Sequence, residues 1–153
     1  MIERTQEGLY CRAADAWVDP WRPVPRALIT HAHADHARPG CGEYWAVASS
    51  EGVLRQRLGQ DITLHPVQYG EEHWLGQCRV SFHSAGHVLG SAQIRLEVDG
   101  EVWVVSGDYK RDDDPSCAPF EPVACDVLIT EATFGMPIYR WKPGSELLSL
   151  IHI

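Results

Sequence analysis

Residues 30–36 have the sequence Thr-His-Ala-His-Ala-Asp-His and directly follow the apolar run 27–29. Three imidazoles and a carboxylate this close together are hard to explain by packing, because each buried polar group needs its own hydrogen-bond partner. His31, His33 and Asp35 occupy alternate positions, so an extended segment would point all three side chains to the same side. A tight turn is needed to bring the His36 side chain to that side as well. Alanines between them leave space for that turn. The segment is therefore predicted to be a compact, ligand-bearing loop at the end of a strand.

Short strands and turns are predicted for most of the chain, with few helices. Alternating or apolar runs predict strands over 9–11, 16–18, 27–29, 62–66, 73–75, 78–83, 93–98, 101–105 and 127–129. Asp99-Gly100 is a two-residue hairpin signal between two of these strands. One helix is predicted over 49–59, with a serine as its candidate N-cap, Gly59 as its stop, and Val53, Leu54 and Leu58 along one side.

Four of the predicted strands run into residues with ligand chemistry. Ile29 leads to the histidine loop, Phe82 to His87, Val105 to Asp108, and Ile129 to Glu131. A sheet that delivers such residues to its edge can build one shared site from them. Imidazole and carboxylate suit zinc, manganese or iron, whereas structural zinc sites more often use thiolates. We expect a three-nitrogen site of His31, His33 and His87 and a second site of Asp35, His36 and Asp108.

Composition sets the outer limits. A chain of 153 residues with 44% hydrophobic and 22% charged residues fits one globular domain, and no apolar run is long enough to cross a bilayer. A net charge of −8 gives no basic stripe for a phosphate backbone, although bound divalent cations would cancel several charges locally. The N-terminus has no secretory pattern, and the five cysteines show no C-x-x-C spacing. These features predict a cytoplasmic protein with reduced thiols that has no association with membranes.

The histidine loop, His87 in Ala-Gly-His-Val-Leu-Gly-Ser-Ala, and Asp108 in Ser-Gly-Asp-Tyr-Lys-Arg resemble the second, third and fourth motifs of the metallo-β-lactamase superfamily. Glu131 in Ile-Thr-Glu-Ala-Thr-Phe-Gly resembles the acidic motif that opens the β-CASP nuclease branch. More narrowly, Asp-Pro-Trp-Arg-Pro-Val at 19–24 and Val-Ser-Gly-Asp-Tyr-Lys-Arg-Asp at 105–112 are similar to bacterial exonucleases associated with DNA ligase. The resemblance extends over nearly all of residues 8–141.

This resemblance implies an α/β fold, the α/β/β/α sandwich of the superfamily, of which the chain would supply mainly the first, β-rich half. It implies two divalent metal ions, zinc or manganese, with Asp108 bridging them and Asp35 on the second metal, where it can orient the nucleophile. Glu131 would pair with a histidine beyond the end of this chain and assist proton transfer to the leaving group. The implied partner is nucleic acid, DNA rather than RNA, with DNA ligase and helicase as functional partners.

The chain also departs from the family pattern. Members of the branch continue for about as long again, with an inserted β-CASP domain and further histidines. We therefore expect residues 1–141 to be the N-terminal part of the metallo-β-lactamase domain, 142–153 to be a truncated and helical tail, and the β-CASP domain to be absent. The expected function is that of a DNA exonuclease in repair for the intact protein, with an inactive fragment. Three alternatives stay open: an RNA-processing nuclease, a thioester metallohydrolase, and a non-catalytic metal-binding remnant.

Other polar and aromatic residues have weaker signals. Lys110 and Arg111 follow the Asp108 loop and are candidate phosphate contacts, with a solvated pair as the alternative. His65, His73 and His83 lie in or beside strands with no partner motif, which predicts surface or hydrogen-bonded structural histidines. Trp21 and Trp141 could stack on nucleic-acid bases, but packing in the core or under a lid is the favoured interpretation.

Overall fold

Two β-sheets and one helix make up the described part of the chain. The structure is a computed structural model and describes residues 1–132, so the predicted helical tail at 142–153 and Trp141 lie outside the described residues. The strands are β1 (Ile2–Arg4), β2 (Leu9–Cys11), β3 (Ala16–Val18), β4 (Arg26–Leu28), β5 (Glu43–Val47), β6 (Leu64–Val67), β7 (Glu72–Leu75), β8 (Cys78–Ser84), β9 (Ala92–Val98), β10 (Glu101–Val105) and β11 (Val127–Ile129). A short 3₁₀ turn at Ala48–Ser50 leads into helix α1 (Glu51–Leu58).

The strands form a six-stranded sheet, β1-β2-β3-β4-β5-β6, and a five-stranded sheet, β11-β10-β9-β8-β7. In the first sheet β3 to β6 run parallel, and in the second only the β10–β11 pair is parallel. The carboxyl ends of parallel neighbours lie at the same sheet edge. The loops after β3 and β4 are therefore neighbours, and so are the loops after β10 and β11.

The core lies between the two sheets. Its fully buried members include Leu28 from β4, together with Phe82 and Ile94 from the facing sheet. A second cluster, with Ala27, Ile29 and Leu54, lies on the other face of the first sheet beneath α1. Alternate residues of β4 thus pack on opposite faces, as expected for a parallel strand buried on both sides. The layers are α/β/β, which confirms the predicted β-rich half of the sandwich.

Most predicted elements are present within one or two residues of their expected bounds. Asp99 and Gly100 have φ values of 52° and 85°, as the predicted hairpin turn requires. The expected serine cap of α1 is wrong: Ser50 makes no capping bond and instead donates its hydroxyl to the Val47 carbonyl. Val53 is 44% exposed, so it does not share the buried side of the helix with Leu54.

Two strands were not predicted. β5 has the sequence Glu-Tyr-Trp-Ala-Val and follows Gly42, which is a recognisable strand signal of aromatic and β-branched residues. β1 is three residues long and, within residues 1–132, lies at the edge of its sheet with β2 as its one neighbour, and three residues are too few for an alternating pattern to be recognised. All five cysteines are free thiols, and two of them, Cys11 and Cys78, are fully buried in the core between the sheets.

Candidate metal centre

The predicted ligand residues meet where strands of both sheets end. β4 delivers the histidine loop, and β10 delivers Asp108 across a Gly107 whose φ is 54°. A Cβ on Gly107 would lie 2.6 Å from the Thr30 side chain, so the two loops approach more closely than any larger residue would permit. The Thr30 carbonyl also accepts a bond of 2.7 Å from the Ala92 amide, which joins the sheets at this point.

One compact cluster holds the three-nitrogen set and the aspartate. A ligand atom from each of His31, His33, His87 and Asp108 lies within 4.8 Å of the others. His31 Nε2 is 3.0 Å from His33 Nδ1, and Asp108 Oδ2 is 3.8 Å from His31 Nε2 and 3.7 Å from His87 Nε2. The structure therefore brings together residues that are up to 77 positions apart in the sequence, from 31 to 108.

Asp108 faces two groups of residues at once. Its Oδ2 lies near His31 and His87, while its Oδ1 is 3.4 Å from His36 Nε2. On the same side, Asp35 Oδ2 is 3.6 Å from His36 Nε2, and the Asp35 side chain is largely exposed. Asp35 and Asp108 thus both lie near His36 Nε2, and Asp108 also lies near His31 and His87.

Asp19 orients His31 and His36, a role that was not predicted from the sequence. Asp19 Oδ1 accepts from the Thr30 amide at 2.8 Å, and its Oδ2 accepts from the Thr30 hydroxyl at 2.6 Å and faces His36 Nδ1 at 2.7 Å. The Thr30 hydroxyl is also 3.1 Å from His31 Nδ1. These contacts favour protons on both Nδ1 atoms and leave both Nε2 lone pairs facing the cluster. Asp19 follows strand β3, so the strand-end rule could have identified it.

Burial keeps the innermost imidazole neutral. Desolvation, helped by the nearby imidazoles of His36, His33 and His87, lowers the pKa of His31 to about 2. Burial lowers the pKa of His36 as well, but the hydrogen bond to Asp19 and the nearby carboxylates outweigh it and the net pKa is raised. Burial also lowers the pKa of His87. A neutral imidazole is the form that binds a metal.

The donor set fits a divalent metal. His87 Nε2 is buried and has no hydrogen-bond partner among the described residues, an unusual state for a polar atom. Three of the donor-atom separations, His31–His33, His31–Asp108 and His87–Asp108, are 3.0–3.8 Å, close to the distance of about 3.3 Å between neighbouring ligands of one tetrahedral zinc ion, and all four donor atoms lie within 4.8 Å of one another. A metal would satisfy the His87 nitrogen and offset the carboxylate charge.

Comparison with known proteins finds relatives that are named as a DNA ligase and as a ribonuclease. A protein named "Probable DNA ligase" from Opitutus terrae is 33% identical over 93% of this chain. A protein named Ribonuclease TTHA0252 from Thermus thermophilus is 32% identical over 76% of this chain. The chain belongs to the metallo-β-lactamase superfamily, in its β-CASP nuclease branch. No family model matches the chain.

The fold of this chain is similar to that of a solved metallo-β-lactamase, SMB-1 bound to 2-mercaptoethanesulfonate. It aligns with a TM-score of 0.51 and 20% identity over 69% of this chain and 57% of its own. At that identity the likeness concerns the fold alone. The chain spans 14% of the length of the Opitutus relative and 33% of the Thermus relative.

The remaining predicted site residues lie around the β-CASP-type centre. Glu131 lines a cleft of about 450 Å³ together with His36 and Asp108. Lys110 forms an ion pair of 3.0 Å with Asp114, a contact that raises the pKa of Lys110, while Arg111 lines a separate groove. Glu131 thus shares a cleft with His36 and Asp108, and neither Lys110 nor Arg111 lines that cleft.

Among the described residues, His65, His73 and His83 lie outside the cluster, as predicted. His65 Nε2 is 3.1 Å from Glu43 Oε2, and His83 is hydrogen-bonded to Ser81 and Glu121. Trp21 does not pack in the core, one of the two packing roles predicted for it, because its side chain is 44% exposed and lines the cleft. It follows the buried Pro20 in the loop after β3. Within the described residues, no helix is both long and apolar enough to cross a membrane.

Proposed function

We propose that the intact protein is a metal-dependent phosphodiester hydrolase that cleaves nucleic acid, and that this chain carries most of its metal centre. The substrate we assign is DNA, cleaved exonucleolytically during repair in the cytoplasm, with DNA ligase and a helicase as functional partners. The assignment to DNA is supported by the name of the Opitutus relative. We further propose that residues 1–141 are the N-terminal part of the metallo-β-lactamase domain.

The observation that carries the proposal is the position of Asp108. One of its oxygens faces His31 and His87, and the other faces His36. A carboxylate shared in this way suits two cations a few ångströms apart, the arrangement used for in-line displacement at a phosphodiester. We therefore assign His31, His33 and His87 to one metal, Asp35 and His36 to a second, and Asp108 to both. Zinc and manganese suit this set of nitrogen and oxygen donors.

The two metals would lower the pKa of an attacking water and offset the charge that develops on the phosphate. The chain's own residues would do the rest. Asp19 holds the imidazoles of the centre in their binding orientation through Thr30 and His36. Asp35, which is solvent-facing, would orient the attacking water, and Glu131 would assist proton transfer to the leaving oxygen.

A second candidate is an RNA-processing nuclease with the same centre. It is favoured by the Thermus thermophilus relative, whose name is Ribonuclease TTHA0252. The metal chemistry would be the same for both substrates, because the scissile group is a phosphodiester in each case. Cleavage of matched DNA and RNA strands by the intact protein distinguishes the two candidates.

Metal analysis tests the proposed centre. The purified chain, dialysed against zinc or manganese, is expected to retain metal, and His33→Ala is expected to lose most of it, because the remaining ligands lose their fixed geometry. His83→Ala is the matched control, since His83 is hydrogen-bonded elsewhere in the same structure. Equal metal content in wild type and His33→Ala would refute the assignment of this ligand set.

A further inference from the structure

Arg38 is a cation on the wall of the metal cleft with no ion-pair partner among the described residues. It lines the cleft together with His36, Asp108 and Glu131, and its side chain is exposed. The nearby carboxylates of Asp35 and Asp108 face His36 instead. A solvated arginine beside so many acidic groups is available for a ligand, and its planar fork matches a phosphate.

The main chain of Arg38 is held firmly although its side chain is in water. Tyr44, which is 1% exposed, donates its hydroxyl to the Arg38 carbonyl at 2.9 Å and accepts from the Cys41 amide at 3.0 Å. Burial raises the pKa of Tyr44 to about 12, so this hydroxyl stays protonated and continues to donate. The Ala37 amide bonds to the His33 carbonyl at 2.8 Å. The position of Arg38 is therefore fixed relative to the metal ligands.

Trp21 presents an exposed aromatic surface on the same cleft. Its side chain is 44% exposed, and its amide donates to the Glu7 carbonyl at 2.7 Å, which fixes the backbone. The guanidinium of Arg4 lies 5.3 Å from the centroid of the Trp21 ring, so a cation lies next to this indole. An exposed indole and an exposed arginine on one cleft are suited to single-stranded nucleic acid, because the indole can stack on a base and the arginine can bind a phosphate.

Charge explains why such a subsite is needed. The chain carries a net charge of −8, and the cleft contains the carboxylates of Asp19, Asp35, Asp108 and Glu131. Metals would offset part of this charge at the centre, but a polynucleotide extends beyond them and needs cationic contacts of its own. Arg38 lines the same cleft as Asp35, His36 and Asp108 and is a cation that could make such a contact.

We propose that Arg38 and Trp21 form a nucleotide subsite, in which Arg38 binds a phosphate next to the scissile one and Trp21 stacks on a base. This inference rests on the proposed nuclease function and adds to it the residues that hold the strand. It assigns substrate binding to two side chains that lie outside the metal ligand set.

Fluorescence anisotropy with a 5′-fluorescein-labelled single-stranded deoxyoligonucleotide of about ten nucleotides tests the subsite. The titration uses the full chain loaded with zinc, over a range of salt concentrations, and a gel checks that the oligonucleotide stays intact. Arg38→Gln is expected to weaken binding about tenfold and to reduce the slope of log affinity against log salt by about 0.7, the value for one phosphate on a single strand. Arg57→Gln, an exposed arginine on α1 outside the cleft, is the control of equal charge.

Trp21 is tested in the same titration. Trp21→Leu is expected to weaken binding by about tenfold without changing the salt slope, and Trp21→Phe should restore most of the affinity because it keeps a stacking ring. Binding by Arg38→Gln that equals binding by Arg57→Gln would overturn the proposal, and so would a wild type that does not bind the oligonucleotide. Zinc content is measured on the same samples. If the protein retains zinc and Arg38→Gln binds the oligonucleotide as well as the wild type does, the subsite alone is refuted. If the protein retains no zinc, the metal centre is refuted.

Discussion

Replacing Asp19 by asparagine tests whether one carboxylate sets the tautomers of the metal centre. Its Oδ1 accepts from the Thr30 amide, so asparagine must keep its oxygen there and place its NH₂ group where Oδ2 was. That NH₂ then faces the Thr30 hydroxyl and His36 Nδ1, which are 2.6 and 2.7 Å from Oδ2 in the wild type. A donor now meets His36 Nδ1, so its proton must move to Nε2, the atom that faces Asp108.

The same substitution reaches His31 through Thr30. The threonine hydroxyl would accept from the new NH₂ and donate to His31 Nδ1, which lies 3.1 Å away, so the His31 proton also moves to Nε2. Partners of metal ligands of this kind are worth about 10–100-fold in affinity, which corresponds to about 1.4–2.8 kcal/mol. Asp19 has a φ of 43°, which asparagine tolerates, so backbone strain does not confuse the result.

The assay is a zinc titration in competition with a chromophoric chelator, with thermal unfolding of the metal-free proteins as a check on folding. Asp15→Asn is the matched control, because Asp15 has an equally unusual φ of 48° and accepts a hydrogen bond from Tyr10 in an exposed position away from the centre. A zinc affinity for Asp19→Asn within about twofold of that for Asp15→Asn would contradict the tautomer argument.

Three further predictions follow from the described residues. In a full-length relative, replacing the aspartate aligned with Asp108 by asparagine should lower turnover by orders of magnitude with little change in stability. Alanine at the position of His83 should leave turnover nearly unchanged. An equal loss of turnover in the two variants would show that the choice of ligands is wrong. The 153-residue chain, supplied with zinc, manganese or magnesium, should not cleave labelled DNA or RNA, because positioning groups supply about 7–11 kcal/mol of barrier reduction; robust cleavage abolished by Asp108→Asn would contradict this. Burial raises the pKa of Glu43, but hydrogen bonds from Arg26 and Trp45 outweigh burial, and the net pKa is lowered. The ionised Glu43 therefore stabilises the fold fully above the unfolded-state pKa of about 4.3. This stabilisation is lost as the pH falls through the lower, folded-state pKa. Glu43→Gln should therefore cost about 1 kcal/mol at pH 7 and less near pH 3 in urea unfolding, and an equal cost at both pH values would contradict the argument.

The alternation of apolar residues and the turn signals were enough to predict most strands. Glu101–Val105 and Val127–Ile129 have the predicted bounds, since each is an apolar run closed by a turn or a polar loop. The helix was predicted in the right place but with the wrong cap, because the Ser50 hydroxyl bonds backwards to Val47 once the preceding turn has formed. Local sequence specifies that an element exists more reliably than it specifies how its ends are satisfied.

The types of residue that form the centre could also be predicted from the sequence. Histidines and carboxylates that follow apolar strands have no packing role there, so their types and spacing predict a metal site before any contact is known. The family resemblance implied a bridging Asp108, but the sequence alone could not show that one of its oxygens faces His31 and His87 and the other faces His36. That division depends on the distance between the loops after β4 and β10, which the packing of the two sheets and the absence of a side chain at Gly107 determine.

The supporting residues were decided by tertiary structure. Asp19 reaches Thr30 because β3 and β4 are parallel neighbours, and Asp35 and Asp108 lie near His36, whereas Arg38 has no ion-pair partner among residues 1–132. Residue type fixes which bonds a side chain can make, and periodicity fixes which face of an element it lies on. Which partner it meets depends on sheet order, register and burial, and these are properties of the whole packed chain that no local stretch of sequence contains.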